Sequence, residues 1–475
     1  MHDVPARHRS MRAVFDHSWR LLSDAEQGVL RRLSVFRGGM QADAAARVAG
    51  ATPLLLAALV DKSLLHHNGA GRYELHELVR QYAGEQLEQA GEAERTRDIH
   101  AADFLALAQA AEPGLDGPAR AIWLGRLEQE HNNLRAALAW SQAAGRAELG
   151  LQLVCALRMF WCEHGHLQEG WTWLEAALAP SSVDVPRSLR AAALNSAAIV
   201  SSALGEYARA QELAEQSLAL FREEGITAGV AWALTSLTEL AMVQDNNAHA
   251  CMLAEASLAL NQELHDQWSI ANSLGYLGQI AHRQGDDVRA AALFDDSLTR
   301  FRELEDTAGI ASILCLVGEM IHCQGDNLRA APLLEESLAL FRELENKGEI
   351  PWALGHLARV VHSQGDDRRA IGLFQECLEL SREQGDKPGI AGCLEGLAGI
   401  AALRGQPIRA THLFGAGVRL RETIGGQFHR RPIDGAEYER TLGSTRTQLD
   451  TATFAAAWAQ GRALTLEQAI AEALM

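Results

Sequence analysis

The sequence predicts an all-α fold in which helical hairpins stack into a solenoid behind a small domain of three helices and a β-hairpin. Three observations predict it. Gly205, Asp245, Gly285, Gly325, Gly365 and Gly405 stand forty residues apart with no insertion between them. Apolar residues recur at helical spacing on both sides of these positions. The first ninety residues follow another pattern, with short helical segments, glycine breaks and one strand–turn–strand signal. Fixed-period self-similarity means stacked supersecondary units, none of which can bury its apolar face alone.

In chain order, Leu21-Leu22-Ser23-Asp24-Ala25-Glu26 opens the first clear helix, with Ser23 as N-cap and Glu26 completing a capping box. That helix is expected to run through Leu30, Leu33 and Phe36 until Gly38-Gly39 breaks it. A second covers Ala42 to Ala49, and a third runs from Pro53 to Asp61, where Pro53 favours a first turn. Leu64-Leu65-His66-His67, Asn68-Gly69-Ala70-Gly71 and Tyr73-Glu74-Leu75-His76 read as strand, turn and strand. Three helices and a hairpin make a winged helix over residues 1–90, followed by a helical connector at 91–185.

The repeats occupy residues 186–425, with a helical cap at 426–475. Gln284-Gly285-Asp286, Gln324-Gly325-Asp326 and Gln364-Gly365-Asp366 are followed by Arg289-Ala290, Arg329-Ala330 and Arg369-Ala370. Ser297-Leu298 and Phe301-Arg302 close one unit, as Ser337-Leu338 and Phe341-Arg342 close the next and Ser217-Leu218 and Phe221-Arg222 an earlier one. Leu274, Leu277 and Ile280 before Gly285, and Ala290, Phe294 and Leu298 after it, give each unit two amphipathic helices. Gly285 suits the left-handed residue that ends the first helix. Asp286 caps the second, and Ala290 is small where two helices must approach. Near the end, Thr465 and Gln468 form another capping box.

Leu277, Gly278, Ala290 and Phe294 occupy the Leu-Gly, Ala and Phe places of a known motif, and the array resembles the tetratricopeptide repeat. It differs in its period of forty and in lacking the closing proline, like the long-helix variant of bacterial regulators. The resemblance implies a right-handed α-solenoid. Arg31-Arg32-Leu33-Ser34-Val35-Phe36-Arg37-Gly38-Gly39, Leu59-Val60-Asp61-Lys62-Ser63-Leu64-Leu65 and Arg72-Tyr73-Glu74-Leu75-His76-Glu77-Leu78-Val79-Arg80 resemble the winged-helix region of bacterial STAND regulators of the LuxR and maltose-regulator type, signal-transduction ATPases with numerous domains. Trp123-Leu124 through Glu130-His131-Asn132-Asn133-Leu134 to Trp140 is similar to their connector. Residues 458–469 resemble the helix before a LuxR-type DNA-binding domain. The resemblance implies the C-terminal part of such a regulator.

The flanking parts of that family are not in the sequence. A P-loop needs Gly-Lys-Ser or Gly-Lys-Thr, because backbone amides cradle the phosphates and the lysine neutralises them. Lys62, Lys347 and Lys387 are the only lysines, and none follows a glycine. The sequence ends at Met475, before any LuxR-type helix-turn-helix. Nucleotide-binding and DNA-binding domains are therefore expected from another chain, and no cofactor is expected here.

Other classes are excluded or disfavoured on composition and motif. A net charge of −18 opposes nonspecific nucleic-acid binding by the whole chain. Residues 1–84 hold 11 Lys plus Arg against 8 Asp plus Glu, a balance of +3, so the remainder carries −21. The third helix, Leu54-Leu55-Leu56-Ala57-Ala58-Leu59-Val60, offers no side chain to read base edges, which favours packing on a protein over direct DNA binding. No apolar run reaches the roughly twenty residues of a membrane span and Met1-His2-Asp3 opens no signal peptide, so a soluble, cytoplasmic protein is expected. The seven cysteines form no Cys-x-x-Cys pair, and Cys155, Cys162, Cys315 and Cys323 sit in apolar stripes as reduced core thiols. His76-Glu77 begins a zinc-protease motif that Arg80 breaks, His164-Gly165-His166 reads as a turn, and Gly415-Ala416-Gly417 as helix packing. Asp286-Asp287 and Asp366-Asp367 repeat at helix starts and read as caps. No catalytic residues and no metal site are expected, and the chain is read as no enzyme.

What remains is recognition. By analogy with tetratricopeptide arrays, first-helix residues at the second, fifth, ninth and twelfth places line a concave groove. They are Trp232, Thr235, Glu239 and Met242; Asn272, Gly275, Gln279 and His282; Ser312, Cys315, Glu319 and His322; and Trp352, Gly355, Arg359 and His362. Of these, Trp232, Glu239, Gln279, His282, Glu319, His322, Trp352, Arg359 and His362 are the candidates for binding a protein, a peptide or a small-molecule effector. The three recurring histidines would be about 10 Å apart, too far to share one zinc ion. The function read from the sequence is the non-catalytic sensor or interaction arm of a STAND-type regulator. The alternative is a stand-alone tetratricopeptide scaffold that assembles other proteins.

Overall fold

A computed structural model describes residues 6–69, 71–115, 119–179, 185–423 and 432–475. The chain forms two compact units, Met1–Pro113 with Ile122–Ala156 and Gly114–Ala121 with Leu157–Met475. The first contains α1 (Ala6–Arg20), α2 (Asp24–Leu33), α3 (Ala42–Ala49), α4 (Pro53–Asp61), β1 (His66–His67), β2 (Tyr73–Glu74), α5 (Glu77–Gln89) and α6 (Ala93–Ala111), with most of α7 (Arg120–Gln129) and α8 (His131–Ala143).

The Ser23–Glu26 capping box forms, and Thr52 accepts from the Leu55 amide ahead of Pro53. α2 stops at Leu33, three residues before the expected end at Phe36. The Ser34 hydroxyl donates to the Arg31 carbonyl at 2.6 Å, and the amides of Val35 and Phe36 reach back only three residues. This tighter turn delivers Phe36 to a core where it meets His100 and Phe104 edge-on, at 5.1 and 6.2 Å. The antiparallel strands pair His66 with Glu74 and His67 with Tyr73, and Tyr73 also exchanges both backbone bonds with Met40. That third partner was not foreseen. Ala70 of the expected turn lies outside the described residues.

The connector motif explains itself in this unit. Glu130 is buried in an ion pair with Arg72, whose Nη2 is 3.1 Å from Oε2. Asn133, fully buried, donates to the Gly39 carbonyl at 2.9 Å and to Glu130 at 2.7 Å, and accepts the Arg37 amide at 2.7 Å. Thus Glu130-His131-Asn132-Asn133 ties the Gly38-Gly39 turn to the hairpin. His76 caps α5, while Arg80 and Gln81 hold Glu77, so the broken zinc motif is a helix start.

The second unit is an α-solenoid. After the end of α9 (Ala147–His164) and α10 (Leu167–Leu178), its hairpins are α11 (Arg187–Ala203) with α12 (Tyr207–Glu223), α13 (Thr227–Val243) with α14 (Asn247–Glu263), α15 (Gln267–Arg283) with α16 (Asp287–Glu303), and α17 (Thr307–Cys323) with α18 (Asn327–Glu343). They continue with α19 (Ile350–Ser363) and α20 (Asp367–Gln384), then α21 (Lys387–Leu403) and α22 (Pro407–Thr423), followed by α23 (Pro432–Thr447), α24 (Thr451–Ala463) and α25 (Leu466–Leu474). Residue 426, the expected start of the cap, lies outside the described residues. Each first helix packs on its own second helix and touches the first helix of the next hairpin. Among the described residues no single helix is long and apolar enough to cross a membrane.

The true period of the turns is twenty. Left-handed residues fall at Gly205, Gly225, Asp245, His265, Gly285, Glu305, Gly325, Glu345, Gly365, Gly385 and Gly405, so loops within and between hairpins share one geometry. Gly145 and Gly165 continue the spacing upstream, a signal in the connector that sequence reading missed. Asp286, Asp326 and Asp366 cap their helices as expected. Ala210, Ala250, Ala290, Ala330, Ala370 and Ala410 are each 0% exposed, which accounts for alanine where helices cross. The recurring serine has a job of its own: Ser217, Ser257, Ser297 and Ser337 donate across each hairpin to Ala191, Ala231, Ala271 and Ala311 carbonyls at 2.7–3.0 Å. Cys377 takes that place beneath Pro351, its Sγ 3.1 Å from the carbonyl.

One junction departs from the rule. A Cβ at Gly229 or Gly309 would lie 2.3–2.4 Å from the ring of Phe221 or Phe301, so the large closing residue and the glycine are coupled. Phe341 is instead followed eight residues later by Glu349. A side chain there cannot share the helical position with the ring, and α19 begins only at Ile350, with Pro351 in its first turn.

Candidate ligand-binding cavity

The second unit contains a cavity of about 500 Å³, walled chiefly by α13, α15, α19, α21 and α22 with part of α23. Its lining combines Trp352 and Tyr438 with Arg359, Arg421 and Glu395, while Gly355, Gly392 and Gly399 leave room between them. Arg421 and Glu395 form a two-point ion pair, each contact 2.9 Å. Asp386 caps α21 by accepting the Gly389 amide at 3.0 Å, and burial pushes its carboxyl above the usual range. Cys377 and Cys393 place their sulfurs 2.9 Å apart at the cavity wall, a meeting of thiols that their spacing did not suggest. The Cys377 hydrogen bond and burial hold the Cys393 thiol well above its ordinary pKa.

Of the residues singled out from the sequence, Gln279, Trp352, Arg359 and His362 line this cavity, with Met242 and Gly355. Trp352 is also a packing residue: its ring meets His356 edge-on at 5.7 Å and Phe341 at 6.4 Å. The others lie elsewhere. The Arg158 guanidinium stacks 5.5 Å over Trp232. Glu239 accepts the Tyr276 hydroxyl, and burial raises the pKa of both groups. His282 and His322 turn Nδ1 to Asp287 and Asn327 at the start of the next helix, as His362 does to Asp367. Glu319 is buried with its carboxylate 3.8 Å from His356 Nε2. Thr235 bonds the Ala231 carbonyl and Ser257. Continuing the groove register one more repeat would have reached Gly392, Glu395 and Gly399; Arg421 comes from a second helix and lies outside that rule.

A cluster of acids sits in the same unit. Glu349 is pushed up to about 7, first by burial and then by Glu163, with Glu239 and Asp386 adding to it and Arg120 opposing. Arg120 and Glu163 are themselves an ion pair. Burial likewise lifts the Cys162 thiol to about 12, in keeping with a core thiol.

The winged-helix unit offers a different surface. On α4, Leu56 and Leu59 are buried, while Pro53, Leu54 and Ala57 face outward and Leu54 is 80% exposed. Residues 22–88 match the family model for a winged helix-turn-helix domain, and residues 309–383 match that for the tetratricopeptide repeat. The chain therefore carries a winged helix-turn-helix domain and tetratricopeptide repeats. Proteins named as HTH-type transcriptional regulators of Mycobacterium bovis and Mycobacterium tuberculosis are 36% identical over 250 residues, a stretch covering 48% of this chain and 28% of theirs. The chain thus matches little more than a quarter of the length of these relatives. Among solved structures, a STAND protein with a tetratricopeptide repeat sensor from Pyrococcus horikoshii aligns at 14% identity and TM-score 0.45, over 89% of this chain and 66% of that one. A Rap protein complexed with Competence and Sporulation Factor aligns at 12% identity and TM-score 0.48, over 75% and 99%.

Proposed function

We propose that the chain is the sensor and protein-interaction arm of a STAND-type signalling or transcriptional regulator, and that it takes a peptide or small effector into the cavity of its second unit. The observation that supports this is the cavity itself. Its volume of about 500 Å³ lies in the range of ligand sites, roughly 300–1,000 Å³, and charged side chains, Arg359, Arg421 and Glu395 among them, stand beside aromatic and glycine residues. Arg359 suits a carboxylate, Trp352 and Tyr438 suit an apolar or aromatic group, and the glycines suit close approach. A short peptide with an acidic side chain or free carboxylate fits this lining best. The regulator names of the curated relatives, over the matched part, favour a regulatory setting.

The outward face of α4, with Pro53, Leu54 and Ala57, suits packing on a protein domain better than reading base edges. In this reading the nucleotide-binding and DNA-binding domains lie outside these 475 residues. Ligand occupancy in the array then biases what the winged helix contacts, a coupling that requires two measurable states.

The test is a titration of the full chain with short peptides of acidic, neutral and basic character, read by calorimetry. Acidic peptides should bind, and Arg359→Gln should weaken them about tenfold or more, the loss of one charge-assisted contact, while circular dichroism confirms that the variant is folded. Trp352→Ala is a poor probe because it also removes packing. Equal binding by wild type and Arg359→Gln, or saturable binding of none of the peptides, would refute the reading.

A further inference from the structure

The histidines in the last turns of α15, α17 and α19 find an inner partner five residues on, but each has different outer neighbours. His282, His322 and His362 each hold Nδ1 2.6–2.7 Å from Asp287, Asn327 or Asp367. An oxygen acceptor on Nδ1 fixes that nitrogen as the donor and leaves the lone pair on Nε2. The next first helix supplies residues 37 and 41 places further on. For His322 they are Arg359 and Ser363, and for His362 they are Gly399 and Leu403. One repeat earlier, Met242 is followed by Gln279 and Arg283, and Arg283 donates to the Met242 carbonyl at 2.6 Å. For His282 alone they are Glu319 and Cys323.

Those three side chains meet. One ligand atom from each of His282, Glu319 and Cys323 lies within 4.8 Å of the others. The His282 and Glu319 side chains are 8% and 6% exposed. Nε2 of His356 stands 3.8 Å from Oε2 of Glu319.

We propose that His282, Glu319 and Cys323 form a binding site for a zinc-class divalent metal ion that joins the hairpin of α15 and α16 to that of α17 and α18. Imidazole, carboxylate and thiolate together match zinc or cobalt, while the hard cations calcium and magnesium prefer oxygen alone. Bond lengths of about 2.0–2.3 Å at tetrahedral angles require ligand atoms roughly 3.3–3.8 Å apart, so the three must close by up to about 1.5 Å through side-chain torsions. Asp287 supplies the carboxylate behind the histidine that orients such ligands. Water completes the fourth position. The site differs from the one excluded on sequence grounds, which required three histidines from three repeats.

The test uses the full chain, stripped with chelator and reloaded with cobalt(II) or with zinc against a chromophoric chelator. One metal ion per chain and a thiolate-to-cobalt charge-transfer band are expected. Cys323→Ser should abolish the band, His282→Gln should weaken zinc by more than about 100-fold, and Asp287→Asn by roughly 10–100-fold. His322→Gln, at the neighbouring junction, should leave both signals intact. Circular dichroism of each variant separates loss of the site from loss of the fold. No metal retained by the folded wild type, or a cobalt band that survives Cys323→Ser, would overturn the proposal.

Discussion

Glu349→Gln should stabilise the chain at neutral and alkaline pH and do nothing for it in mild acid. Glu349 titrates near 7 in the folded chain, against 4.5 for its ordinary value, because burial and the neighbouring Glu163, Glu239 and Asp386 disfavour its charge more than Arg120 favours it. A carboxyl with a raised folded pKa keeps its proton in the native state while the unfolded chain has lost it. Native protein then binds more protons between pH 4.5 and 7, so stability falls as pH rises through that window. At 1.36 kcal/mol per pKa unit the full penalty is on the order of 3 kcal/mol, complete above pH 7 and absent below about pH 4.5. Glutamine keeps the shape and never ionises. Urea unfolding of wild type and Glu349→Gln from pH 5 to 8.5 should therefore give curves that nearly meet at the acid end and diverge with increasing pH. Hydrogen exchange over residues 341–352 should localise the gain. A difference that does not change with pH, or a variant less stable at every pH, would refute the assignment of burial as the dominant cause.

Two further outcomes follow from packing. Glu130→Ala leaves the buried Arg72 guanidinium without its carboxylate and should cost about 3–5 kcal/mol, whereas the pair Arg72→Met with Glu130→Leu should recover only part of it, because the buried Asn133 amide still loses its Glu130 acceptor; urea unfolding with hydrogen exchange over residues 66–80 measures both. Gly278→Ala puts a methyl 2.7 Å from the Phe294 ring and should cost about 1–3 kcal/mol, while Gly392→Ala meets only the end of Arg359 at 3.8 Å and should unfold like wild type.

Local chemistry made much of this chain readable. Ser23 with Glu26, Pro53, Gly285 with Asp286, and Thr465 with Gln468 all act within one turn of themselves, and each does in the structure what its residue type suggests. The forty-residue period carried the stacking because it was repeated without insertion. What escaped depends on partners far away in sequence. Phe36 leaves its helix for His100 and Phe104, Met40 finds Tyr73, and α19 starts late because Phe341 fills the space that a glycine leaves elsewhere. In the cavity, Gln279, Trp352, Arg359 and His362 followed from their places in the repeat, but Arg421 and Tyr438 required the packing of later helices. The meeting of His282, Glu319 and Cys323 is set by how two neighbouring hairpins are staggered, which no single repeat encodes.

The late start of α19 makes one step of the array unlike the others. Its neighbours α13, α15, α17 and α21 each run seventeen residues, whereas α19 has fourteen, although the Ile350 amide still reaches the Asn346 carbonyl at its start. The apolar core still runs unbroken past this step, from Ala311 and Phe341 to Leu354 and Phe374, so side-chain packing holds the shortened helix in line with the rest.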